Sequence, residues 1–211
     1  MTFFITGIST EVGKTIVSAI VVQALKADYW KPIQAGELDN SDTMKVQELV
    51  SCETTTFFPN SYALKHPASP HLSAQMENID ISLAHIIRPK TNKPLVIEGA
   101  GGLLVPINSY QTIADLIAPT DKVIIVSRHY LGSINHTMLT IEALKRRHLS
   151  IAGIIFSGKE NTATEQWLAE NTQVQILGRI DEEKYFDKEI INNYAKSFAS
   201  KLLHIQNQVN S

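Results

Sequence analysis

The chain has a single cysteine, Cys52, among 211 residues. No intramolecular disulfide can form, so a disulfide scaffold is excluded, and a reducing compartment such as the cytoplasm is expected. Charge of one sign is also lacking: the formal net charge is −2, which argues against a surface built for nucleic acid. No apolar run approaches the ~20 residues needed to cross a bilayer, so no membrane partner is expected. Met1-Thr2-Phe3-Phe4-Ile5 has no basic stretch and runs into a glycine loop, so it reads as a core strand and not as a signal peptide. Internal repeats, low-complexity tracts and linkers are missing, and a single domain over 1–211 is expected. His66, His71, His85, His129, His148 and His204 show no metal-ligand spacing, and Trp30 and Trp167 read as packing groups. Hydrophobic residues are not scarce: at 44% they suffice for a sizeable core.

What is present begins with Gly7-Ile8-Ser9-Thr10-Glu11-Val12-Gly13-Lys14-Thr15. It lies between an apolar strand and a predicted helix over 16–25, the context that a phosphate-binding loop requires. Backbone N–H groups at a helix start face an anion, and the helix dipole favours negative charge there. Lys14 can reach the β- and γ-phosphates, and the Thr15 hydroxyl can ligate Mg²⁺. The spacing departs from G-x-x-x-x-G-K-[ST], which needs glycine at position 8, where Ile8 stands.

Further strands are expected at 28–33, closed by Pro32, and at 94–98, 122–127, 151–156 and 174–177, the last closed by Gly178. Short extended pieces are expected at 57–58 and 62–64. Helices are expected at 42–50 with Ser41 or Asn40 as cap, 72–76, 82–87, 112–117, 133–147 and 162–171, and around Ile190–Leu202. Unbroken apolar strands alternating with helices imply an α/β fold, a parallel sheet covered on both faces. Ligands then bind beyond the carboxyl ends of the strands. The phosphate loop, Lys31, Glu98–Gly102 and Ser127 all fall there.

Three oxygen groups, from Thr15, Asp42 and Glu98, suit one Mg²⁺, which takes few protein oxygens when phosphates and water complete its shell. The alternatives are structural: Glu98 as an acid holding a glycine turn, and Asp42 as a first-turn helix acid favoured by the dipole. Gly99-Ala100-Gly101-Gly102 either lets backbone approach a ligand or forms a tight turn. Lys31 leaves a strand end beside the phosphate site and is a binding or catalytic candidate. Asn135 and His136 begin the long helix, whose N–H groups either bind a carboxylate or are simply capped.

Thr6-Gly7 with Thr10-Glu11-Val12-Gly13-Lys14-Thr15 resembles the phosphate loop of the dethiobiotin synthetases. Lys31-Pro32-Ile33, Asn40-Ser41-Asp42, Ser69-Pro70-His71, Glu98-Gly99-Ala100-Gly101-Gly102 and Leu131-Gly132-Ser133-Ile134-Asn135-His136 follow in that family's order. The resemblance implies a three-layer P-loop NTPase-type fold with about seven mostly parallel strands, working as a homodimer. It implies a ligase that uses ATP and Mg²⁺ to carboxylate 7,8-diaminopelargonic acid with CO₂ and close the cyclic urea of dethiobiotin. It assigns catalysis to Lys14, Lys31, Thr10 and Glu11, and the metal to Thr15, Asp42 and Glu98. Nucleotide contacts fall to Glu11, Val12, Gly13, Lys14, Thr15, Ile16, Asp42, Glu98, Gly99, Ala100, Gly101, Ser157 and Gly158. Substrate contacts fall to Thr10, Lys31, Ala35 and, across a dimer interface, Gly132, Ser133, Ile134 and Asn135.

Two departures from the family pattern stand out. Ala35 sits where a substrate-contacting hydroxyl is common, so a neighbour such as Gln34, or backbone, must replace it. Ser157-Gly158 sit where an asparagine often reads adenine, and Asp181 where a proline is common. Other nucleoside triphosphates are therefore expected to serve. The rival reading is a ParA/MinD-like regulatory ATPase, whose loop carries Lys-Gly-Gly where Ser9, Thr10 and Glu11 stand. An amidating ligase of the cobyrinic-acid type would need a glutaminase domain, for which there is no room.

Overall fold

The structure is a computed structural model and describes residues 1–207. Positions 208–211 of the expected domain lie outside the described residues. Chain order runs β1 (Thr2–Gly7), α1 (Lys14–Leu25), β2 (Asp28–Trp30), β3 (Ile33–Ala35), α2 (Asp42–Leu49), β4 (Phe57–Phe58) and β5 (Tyr62–Leu64). It continues with α3 (Pro70–Met76), β6 (Leu95–Gly102), β7 (Lys122–Arg128), α4 (Ser133–Arg146), β8 (Ser150–Ser157), α5 (Thr162–Thr172), β9 (Ile176–Ile180) and α6 (Lys188–Asn207).

Seven strands form one sheet in the order β4-β2-β6-β1-β7-β8-β9, and every pairing is parallel. β3 and β5 form a separate two-stranded parallel sheet. Phe3, Phe4 and Ile5 of β1 and Val123–Val126 of β7 are wholly buried. Such strands have no polar face because helices cover both sides. α1 packs on α6 and α2, while α4 packs with α5 against β7 and β8. Since all strands run parallel, their carboxyl ends share one rim, and β1 opens onto it between β6 and β7.

Five local expectations need correction, among them the helix expected at 112–117, which is 3₁₀ over Ile113–Leu116. The strand expected to end at Glu98 runs on through Gly102, because Gly7 pairs with Gly102 after a register shift in β1. The strand beginning at Asp28 ends at Trp30, and Ile33–Ala35 pairs with β5 beyond Pro32. The helix expected at 82–87 is one 3₁₀ turn, Leu83–His85.

Gly178 does not close its strand but sits inside β9. A Cβ there would lie 2.2 Å from Cε1 of Phe198 on α6, so the glycine lets the final helix lie close on the edge of the sheet. Phe198 is itself buried and has little room to yield. Gly178→Ala should therefore destabilise the protein by about 1–3 kcal/mol, as overpacking does. Urea unfolding checks this, and an unchanged midpoint would show that the helix edge has slack.

Candidate functional site

The phosphate loop owes its shape to two residues in left-handed conformation, Glu11 at φ 53° and Gly13 at φ 94°. Gly13 is the N-cap of α1. Alternation of this kind turns successive N–H groups inward to form an anion nest. Glycine adopts it freely, whereas Glu11 carries a cost of about 1–2 kcal/mol. The carbonyl of Glu11 accepts a hydrogen bond from Arg128 Nη1 at 3.3 Å, which helps hold the strained residue. The displaced glycine is also explained. A Cβ on Gly7 would lie 2.6 Å from both Ser9 O and Val12 Cγ2, so the loop needs glycine there. Ile8, one residue past β1, donates its N–H to Val126 O of β7 at 3.1 Å.

Behind the loop lies a buried charge cluster. Lys31 is 4% exposed and Glu98 1%. The Lys31 ammonium donates to Glu98 Oε1 at 3.0 Å and pairs with Asp42 Oδ2. Thr15 Oγ1 lies 3.1 Å from Asp42 Oδ1 and 3.1 Å from Glu98 Oε1. Tyr29, wholly buried, donates its hydroxyl to Glu98 Oε2 at 2.9 Å. Burial alone would pull the Lys31 pKa down, but Glu98 and Asp42 overcome it and hold it above the ordinary lysine value. Burial would likewise push Asp42 up, yet the Lys31 ammonium holds its carboxyl below the usual range. Lys14 has no such pair. Its Nζ donates to Ser9 O at 3.1 Å, and burial, opposed by Glu98 and reinforced by Lys31, lowers its pKa to about 8.

These groups line one cleft of about 1460 Å³, shared by Thr10, Glu11, Gly13, Lys14, Thr15, Ile16, Lys31, Ala35, Asp42, Glu98, Ala100 and Gly101. Val12 is buried beneath it, and its carbonyl accepts the Ser157 hydroxyl at 2.7 Å. Gly99 faces packing and not the cleft: a Cβ there would meet Ile113 at 3.0 Å and Phe4 at 3.1 Å. Ser157, Gly158 and Gly132–Asn135 do not line the cleft of the single chain. Gly132, Ile134 and Asn135 are exposed at the start of α4, beside the fully exposed Leu131. Gln34 does line the cleft, but its amide is already engaged. Its Oε1 accepts from Asp42 N at 3.2 Å and its Nε2 donates to Gly36 O at 3.0 Å, so the amide fastens the start of α2 to β3.

Among the described residues, no three His, Cys, Asp or Glu side chains gather to hold a metal. Two carboxylates and a hydroxyl are the sparse donor set of Mg²⁺, whose remaining positions go to phosphate and water. A lysine ammonium lodged between those carboxylates shows that the spot favours a cation. Arg128, Thr140 and Phe186 also border the cleft without having been expected there, and His136, read with the start of the long helix, borders it too. Of the first three, only Arg128 carried a signal, as a cation at the carboxyl end of a parallel strand.

Strand, glycine loop and helix at the centre of this parallel sheet define a P-loop NTPase-type protein. A sequence-family model described as an AAA domain matches residues 1–189. The ATP-dependent dethiobiotin synthetase of Christiangramia forsetii is 57% identical over 203 residues, covering 96% of this chain and 98% of that protein. That of Cytophaga hutchinsonii is 47% identical over 195 residues, covering 92% and 94%. Among solved structures, the cell division ATPase MinD of Pyrococcus furiosus superposes with TM-score 0.60 at 13% identity, over 98% of each chain. That likeness shows the fold alone. The chain belongs to the ATP-dependent dethiobiotin synthetase family, and is an enzyme of the ligase class.

Ser157 is a short hydroxyl already committed to Val12 O and offers no side-chain amide to a nucleotide base. GTP and CTP should therefore support turnover comparable to ATP. Steady-state rates with the three nucleotides check this, and a strong preference for ATP would contradict it.

Proposed function

We propose that this chain, folded as a single domain, converts 7,8-diaminopelargonic acid, CO₂ and ATP to dethiobiotin, ADP and phosphate, as the names of its relatives suggest. The observation that carries the reading is the one cleft shared by the phosphate loop and the Lys31–Asp42–Glu98 cluster. A triphosphate tail and a carboxylated amine need cations side by side, and Lys14 and Lys31 supply them.

The reaction begins when one substrate amine attacks CO₂ and loses a proton, giving a carbamate. Thr10 and Glu11 border the reacting amines, with Glu11 as a base within reach. A carbamate oxygen then attacks the γ-phosphorus of ATP, and ADP leaves. Phosphoryl transfer relies on positioning and charge neutralisation. Lys14 holds the transferring phosphoryl group, and Lys31 faces the carbamate and the developing charge. The second amine attacks the carbonyl carbon and gives up a proton, phosphate leaves with its bonding electrons, and the urea ring closes.

Thr15, Asp42 and Glu98 would hold Mg²⁺, which when bound neutralises charge on the β- and γ-phosphates. The Glu11–Ile16 loop and Glu98, Ala100 and Gly101 border the nucleotide, with Ser157 and Gly158 on the base side. The start of α4 at Gly132–Asn135 takes the substrate carboxylate from across a homodimer interface. The exposed apolar side chains Leu131, Ile134 and Leu139 support that pairing. Ala35 leaves the substrate contact to backbone, since the Gln34 amide is already engaged. A ParA/MinD-like regulatory role has less support: Ser9, Thr10 and Glu11 replace the lysine-bearing turn of those loops.

Incubation with diaminopelargonic acid, bicarbonate, Mg²⁺ and ATP should yield the ureido product by mass spectrometry. ATP hydrolysis without that product would contradict the reading. Lys14→Ala should abolish phosphoryl transfer and weaken nucleotide binding. Lys31→Ala should lower kcat by ~10²–10³, the usual loss for one oxyanion-stabilising donor, with nucleotide affinity largely kept. Near-normal turnover would remove Lys31 from the mechanism.

A further inference from the structure

The two oxygens of Glu98 are not equivalent. Oε1 faces Thr15 Oγ1 at 3.1 Å and Lys31 Nζ at 3.0 Å. Oε2 points away from the cleft and accepts the Tyr29 hydroxyl at 2.9 Å. Tyr29 does not border the cleft. It sits in the middle of β2, its backbone paired with Val96 of β6 on one side and Phe57 of β4 on the other. Its ring lies 6.0 Å from that of Phe57, centroid to centroid. Strand pairing on both edges and full burial leave the phenol no freedom to follow a moving carboxylate.

We propose that Tyr29 is a positioning residue that restricts Glu98 to offering one oxygen, Oε1, to a divalent cation, and thereby favours Mg²⁺ over Ca²⁺. The proposal rests on Glu98 being a metal ligand, as given above. For Glu98 to present both oxygens, Oε2 must leave the phenol, which then exchanges a charge-assisted hydrogen bond for a weaker neutral one with the buried Thr43 hydroxyl, at a cost. Mg²⁺ loses nothing by this, because its small octahedral shell takes one oxygen per carboxylate. Ca²⁺ prefers six to eight oxygens and often takes carboxylates through both. Fixing the outer oxygen therefore handicaps the larger ion. It also orients the inner oxygen toward Thr15, as outer-shell partners of metal ligands generally do.

The test is calorimetric titration of Mg²⁺ and of Ca²⁺ into the full chain saturated with a non-hydrolysable ATP analogue. It compares wild type, Tyr29→Phe, Glu98→Gln and the double variant. Tyr29→Phe deletes only the hydroxyl. It should weaken Mg²⁺ binding by about tenfold, within the range for outer-shell partners, and weaken Ca²⁺ binding less. It should add little in the Glu98→Gln background, because a residue acting through another shows non-additivity. Unchanged Mg²⁺ affinity, equal losses for both ions, or the same loss without the Glu98 carboxylate would overturn the proposal. An arm without variants stands beside these. The wild-type complex should prefer Mg²⁺ over Ca²⁺ more strongly than the free analogue does, and equal preference would overturn the claim. A wild-type chain whose complex binds no Mg²⁺ would remove the ligand reading itself, and this proposal with it.

Discussion

A lysine ammonium buried between two carboxylates is the constraint on which the rest of the site depends. Lys31 and Glu98 are almost wholly removed from water, and neither charge is tolerable there alone. Removing one member of such a pair typically costs about 3–5 kcal/mol, because the other is left uncompensated. The cluster therefore fixes the relative positions of four segments: the phosphate loop through Thr15, the end of β2 through Lys31, the start of α2 through Asp42, and β6 through Glu98. A purely structural ion pair would gain little over apolar packing. Its retention at the mouth of a phosphate loop is more readily understood if the carboxylates have a second use as cation ligands.

The parallel sheet makes this convergence possible. The contributing strands run to the same rim, where the loop after β1, Lys31 just past β2 and Glu98 within β6 meet Asp42 at the start of α2. The superposition on MinD at 13% identity shows that very different sequences build this scaffold. In this chain Ser9, Thr10 and Glu11 shape the loop set into the rim.

Much of this was legible before any coordinates. Apolar runs at 3–5, 95–98, 122–127 and 151–156 contain too few polar residues to be anything but doubly covered strands, and they form β1, β6, β7 and β8. Lys14 and Thr15 were legible from the glycine loop they close, Lys31 and Glu98 from their places at the ends of apolar runs, and Asp42 as the first residue of a capped helix. The continuation of β6 through four small residues was not, since glycine-rich sequence normally signals a turn and only the pairing of Gly7 with Gly102 overrides it. Gly178 was misread for a related reason: its missing side chain answers to Phe198, a tertiary neighbour, and not to a turn. Tyr29 escaped notice, and Gln34 was read as a substitute substrate contact, because the hydrogen bonds that fix their roles leave no mark in the local pattern. The tyrosine meets Glu98 from 69 residues away, and nothing in the local pattern of β2 marks its hydroxyl as more than packing.

The central claim is that the Lys31 ammonium holds a place that a divalent cation takes over when nucleotide arrives. A crystal structure with a non-hydrolysable ATP analogue, Mg²⁺ and diaminopelargonic acid tests it most directly. The account predicts Mg²⁺ among Thr15, Asp42 and Glu98, with Lys31 Nζ withdrawn from the carboxylates toward the γ-phosphate and the substrate amine. A complex in which Lys31 keeps both ion pairs while the metal sits elsewhere would contradict it.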